Sequence, residues 1–105
     1  MLDARRIMLF AVEMAALKRM GANPQKMTVV IAERDKVLDS LVLTQSPEGY
    51  LEIAKDRALS QFGGPVGPGS ARGKAITIGV KGFDDQRDTE IASMAIAKAQ
   101  EKGLV

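Results

Sequence analysis

Tyr50, Lys55 and Arg57 come nearest in this chain to a set of side chains that could do chemistry. They fall in one stretch, Tyr50-Leu51-Glu52-Ile53-Ala54-Lys55-Asp56-Arg57-Ala58. On a helix Tyr50 and Arg57, seven positions apart, share a face. A phenol beside two cations can grip a carboxylate, because hydrogen bonds between ionised groups are the strong ones. From sequence, Glu52 and Asp56 offer these cations only weak local pairs, which leaves them without an obvious internal partner. The competing reading is a solvated charged helix face, the commoner fate of such a stretch.

Two other groups invite a functional reading. Ala71-Arg72-Gly73-Lys74 is similar to the end of a phosphate-binding loop. That motif needs a glycine five positions before Gly73, where Pro68 stands, and Ser or Thr after the lysine, where Ala75 stands. A connector with turn chemistry accounts for it better. Asp84, Asp85 and Asp88 could suggest a metal site, but they lack calcium-loop spacing. At the start of a helix, capping and dipole complementarity explain them more economically. Met8, Met14 and Met20 recur every six residues, which fits no helical face, so they read as core filler or adaptable contact surface.

The composition excludes more than it suggests. The chain holds no cysteine and no histidine. Disulfides, zinc sites of Cys/His type and His-based nucleophile systems are therefore ruled out within one chain. The net charge of +2 comes from interspersed signs, as in Glu33-Arg34-Asp35-Lys36, and forms no basic stripe. Nucleic-acid binding is not expected on that ground. The apolar run Ile7 to Val12 is cut by Glu13, too short for a membrane span and poor as a signal segment. A cytoplasmic protein with no membrane association is the expectation.

At 105 residues the chain reads as a single domain over 1–105. Asp3 caps a helix to about Met20, and Gly21 with Asn23-Pro24 stops it. Met27–Ala32 and Val37–Leu43 are rich in aliphatic residues and form a β-hairpin with a four-residue connection. Ser46 and Pro47 fit an N-cap and first position for a helix over 47–60. Phe62 to Gly73, with five glycines and two prolines, reads as a loop. Lys74–Lys81 is a third strand, in which Gly79 marks a bulge or a close backbone approach. Asp84 or Asp85 caps a last helix over 85–102, closed by Gly103. The expected architecture is α+β: an antiparallel sheet with a β-hairpin, covered by three helices in the order α-β-β-α-β-α. A small core poor in aromatics favours burying a face against a copy of itself, so a homo-oligomer is expected.

The stretch Tyr50 to Ala58, with Gly63-Gly64-Pro65-Val66 and Ile76-Thr77-Ile78-Gly79-Val80-Lys81-Gly82, resembles the GlcG/HbpS-like family of small heme-associated domains. The same domain is found attached to PduO-type corrinoid adenosyltransferases. The resemblance runs over nearly the whole chain, with Asp88 and the helix from Glu90 at a similar distance. It implies a cofactor- or ligand-binding domain, with heme or a corrinoid as the possible cofactor or another small carboxylate as ligand. It also places Tyr50, Lys55, Arg57, Gly63 and Gly64 at that site, with the glycine-rich loop closing over it. Some relatives ligate heme through histidine or cysteine. Neither exists here, so an axial ligand would have to be Tyr50, a methionine, a lysine or nothing.

The leading expectation is a non-enzymatic small-ligand- or cofactor-binding domain forming a homo-oligomer. The alternative is an accessory subunit that stabilises or regulates a separately encoded enzyme. A small enzyme using carboxylates and lysines ranks last, because no paired, desolvated acid and base can be named.

Overall fold

Capped helical runs alternate with short aliphatic runs, and each settles into the structure its pattern favours. The computed structural model describes residues 2–17, 24–59 and 67–104. The order is α1 (Ala4–Leu17), a single 3-10 turn at Pro24–Lys26, β1 (Thr28–Glu33), β2 (Lys36–Val42), α2 (Tyr50–Leu59), β3 (Ser70–Arg72), β4 (Thr77–Lys81) and α3 (Asp85–Glu101). The expected end of the first helix beyond Leu17 lies outside the described residues.

The four strands form one antiparallel sheet in the order β2-β1-β4-β3. Helices cover both faces. On one side α1 and α3 close the larger core around Ile7, Met8, Ile31, Ile78, Ile91 and Ala95. On the other, α2 lies over a small cluster of Val30, Ala32, Ala54 and Ala58. Alternation along β1 serves both layers: Val29 and Ile31 face the first core, Val30 and Ala32 the second. Five of the six β1 residues are buried, as a central strand requires.

The α+β antiparallel architecture stands as expected, with one strand more than the sequence suggested. Ser70–Arg72 lies within the stretch read as a loop, yet it pairs with β4. The hairpin turn follows, where the Gly73 N–H donates to the Ile76 carbonyl at 2.7 Å. The last strand therefore begins at Thr77, not Lys74. Three residues between glycines and prolines carry no alternation to read, so pairing with β4 decides their conformation.

The β1–β2 turn is also tighter than expected. Both strands run inward to Glu33 and Lys36, leaving Arg34 and Asp35 at the tip. Arg34 takes a left-handed φ of 56°, the role glycine or asparagine usually fills in a two-residue hairpin.

Helix starts follow their caps in two cases of three. Asp3 accepts from the Arg6 N–H at 3.1 Å, and Asp84 accepts from the Arg87 N–H at 2.8 Å. Ser46 does not cap α2. Its hydroxyl bonds the Thr28 hydroxyl instead, and Gly49, at φ 94°, turns the chain so that the helix begins at Tyr50.

Gly79 is a close approach, one of the two roles its place in a strand allowed. A Cβ there would lie 2.2 Å from the Ala54 carbonyl oxygen and 2.6 Å from the Ala58 nitrogen. The backbone of α2 thus rests directly on β4, which only glycine permits.

Candidate functional site

Helix α2 carries all three side chains that the sequence singled out, and the fold sends them in different directions. Lys55 and Arg57, two positions apart, project from opposite sides of a helix. Arg57 reaches across β4 to α3, while Lys55 overhangs β1 and β2.

Arg57 is consumed within the protein. Its Nη1 donates to the Val80 carbonyl at 2.7 Å and to Asp88 Oδ2 at 2.8 Å, and its Nη2 to Asp85 Oδ1 at 2.7 Å. Only 16% of the side chain is exposed. Gly69, at φ 69°, lies so close that a Cβ there would collide with the guanidinium. The expectation that Arg57 lacks an internal partner is thus corrected. A planar fork with fixed donors suits two carboxylates of α3 and a carbonyl of β4, and it ties α2 to both elements.

Asp88 is the centre of this cluster. It is fully buried and accepts from the Phe83 N–H at 2.9 Å as well as from Arg57. Lys81 Nζ stands 3.9 Å away. Burial pushes the Asp88 carboxyl above its ordinary range, against the opposing pull of the Phe83 N–H, Arg57 and Lys81. Lys81 also donates to the Phe83 carbonyl at 2.7 Å and lies 5.2 Å from the centre of the Tyr50 ring. Tyr50 is therefore tied to this cluster as an aromatic lid over a cation.

From sequence, Asp88 reads as a first-turn acid, and its role as a buried partner goes unseen. A signal existed. Asp88 lies three, four and seven positions before Ile91, Ala92 and Ala95, all on the buried side of α3. An acid on an apolar stripe must find a cation or a set of N–H donors.

Lys55 has a different setting. With Glu52 it rims a cleft of about 200 Å³ whose other lining residues are Val30, Val37, Ser40 and Leu51. The cleft exists because α2 sits over β1 and β4, leaving the same face of β2 partly uncovered. Leu51 is 40% exposed, and Val42, further along the edge strand, 51%. The edge itself is guarded: the Ser40 N–H donates to Asp39 Oδ1 at 2.8 Å, and Arg5 approaches Asp39 at 3.7 Å. A strand edge blocked by its own carboxylate resists pairing with another strand. Gly63 and Gly64, expected at the site, lie outside the described residues.

Among the described residues the cleft is too small for a tetrapyrrole. Of the axial ligands that the sequence left open, the described lining offers only Lys55, and it contains no thioether, phenol, imidazole or thiolate. Met8 and Met27 are fully buried in the core, and Met14 and Met94, half-buried, do not line the cleft. Its volume is also below the ~300–1,000 Å³ of pockets that enclose drug-sized ligands.

No known family model matches the chain, and a search of curated proteins finds no match. Among the described residues, no helix is long and apolar enough to cross a membrane.

Proposed function

We propose that this chain is a cytoplasmic, non-enzymatic domain that binds a small carboxylate-bearing ligand and works as a homo-oligomer. The observation that carries the reading is the α2–β2 cleft. It has an aliphatic lining, one hydroxyl, one lysine and one glutamate, in a volume suited to a few heavy atoms. Pockets of this kind combine apolar surface with a few placed polar groups. Lys55 belongs to the site proposed here, while Arg57 is the brace that holds α2 in position above it.

Kinship with the GlcG/HbpS-like family belongs to the same proposal. Two of the segments that carry the resemblance, Tyr50 to Ala58 and Ile76 to Gly82, rest on each other at Gly79. That contact gives a physical reason for both to be kept together. Heme and corrinoids are left out of the ligand class, on the volume of the cleft.

A second reading, an accessory subunit of a separately encoded enzyme, draws on the exposed leucines Leu9 and Leu17 of α1.

Saturation-transfer NMR with a panel of small carboxylates, amines and zwitterions tests the reading. It is run on the wild type and on Ser40→Phe, which fills the cleft. Binding by the wild type that is lost in Ser40→Phe is expected. A panel without any binder, or equal binding to both proteins, would remove the cleft as a ligand site.

A further inference from the structure

The rim of the cleft carries two opposite charges that form no ion pair with each other. Glu52 and Lys55 are three positions apart on α2, so they are neighbours on one helix face. Both line the cleft, both are exposed, and no hydrogen bond or ion pair joins either to another described residue. The other ionised groups of α2 are disposed otherwise. Arg57 is engaged by Asp85 and Asp88, and Asp56 does not line the cleft. Val30 and Val37 of the sheet and Leu51 of α2 supply the apolar lining, with Ser40 at the β2 side.

We infer that the cleft recognises a small apolar zwitterion of the amino-acid type, with the ligand's carboxylate on Lys55, its ammonium on Glu52 and its aliphatic side chain on Val30, Val37 and Leu51. This rests on the reading of the cleft as a ligand site and narrows its ligand class. A simple carboxylate gains Lys55 but meets the like charge of Glu52. A simple amine gains Glu52 but meets Lys55. Only a molecule bearing both charges satisfies both groups, and discrimination then comes from repulsion as much as attraction. The Ser40 hydroxyl can both donate and accept, so it serves either end of the ligand. The small volume limits the side chain to the size of valine or leucine, and the open rim limits affinity to roughly the millimolar range.

Three molecules of one skeleton test this: L-leucine, 4-methylpentanoate, which lacks the amino group, and isoamylamine, which lacks the carboxyl group. Each is titrated into wild type, Lys55→Met and Glu52→Gln, with dissociation constants read from amide shifts of the cleft residues. Both substitutions are on the surface, and an unchanged spectrum elsewhere shows that the fold is kept. Leucine is expected to bind at least fivefold more tightly than either singly charged analogue. Lys55→Met should weaken leucine and the carboxylate but not the amine. Glu52→Gln should weaken leucine and the amine while leaving the carboxylate equal or tighter. Equal binding of 4-methylpentanoate and leucine to the wild type would overturn the zwitterion inference and leave the small-ligand reading standing. Leucine failing to bind while other panel carboxylates do would overturn it in the same way. If no compound of the panel moves the cleft residues, both the inference and the ligand-site reading fall.

Discussion

Asp88→Ala is expected to be the most destabilising small change in the described part of the domain. The side chain is fully buried and accepts from the Phe83 N–H and from Arg57 Nη1. Truncation leaves the Phe83 N–H buried without an acceptor, a loss of about 1–3 kcal/mol. Arg57 loses one carboxylate but keeps Asp85 and the Val80 carbonyl. Its share is therefore below the ~3–5 kcal/mol seen when a buried ion loses its only partner. Together the cost is about 3–4 kcal/mol. A domain of this size has a total stability of roughly 5–15 kcal/mol, so the loss is a large fraction. The assay is urea unfolding followed by circular dichroism. With a slope of about 2 kcal/mol per molar urea, the midpoint should fall by ~1.5–2 M. Asp88→Asn keeps an acceptor for Phe83 but turns an NH2 group toward Arg57 where Oδ2 accepted, so about half that shift is expected. A change below about 1 kcal/mol in Asp88→Ala would refute the assignment of Asp88 and Arg57 as the brace between α2, β4 and α3.

Three further outcomes follow from the same geometry. Because burial raises the Asp88 carboxyl, the folded protein holds a proton that the unfolded chain releases at about pH 4, and this contribution to stability falls as pH climbs through the raised value. The stability advantage of wild type over Asp88→Asn should therefore be larger at acid pH and shrink toward neutrality; urea midpoints that show a constant or widening gap would contradict it. Gly79→Ala should cost upward of about 2 kcal/mol, because its Cβ meets α2 backbone and not a side chain that can swing away, and a thermal midpoint within a degree or two of wild type would count against that contact. Light scattering at high concentration should give a multiple of the 11.3 kDa chain mass, and a stable monomer would reject the proposed assembly.

The elements with strong punctuation were legible in the sequence. Asp3 and Asp84 sit before their helices and cap them, and the β1 run predicts a buried strand. Gly79 was readable as a special position because an interior glycine in a strand needs a reason. Ser70–Arg72 was not legible, since a three-residue edge strand is set by its partner. Ser46-Pro47 misled, because a helix signal competes with whatever else the serine can bond, and here that is Thr28. At the site, Lys55 was legible as a cation beside the sheet, but Val30, Val37 and Ser40 join it only through the crossing of α2 over β1. Arg57 was misread for a related reason: its partners Asp85 and Asp88 lie about thirty positions away, beyond the reach of local pairing rules.

The division of α2 into a bracing side and a ligand side is tested most directly by mapping amide shifts of the whole chain during a titration with L-leucine. Saturable shifts centred on Val30, Val37, Ser40, Leu51, Glu52 and Lys55, with Arg57, Asp85 and Asp88 unmoved, are the predicted result. Shifts centred on Tyr50, Arg57 and Asp88, with the cleft residues unmoved, would contradict it.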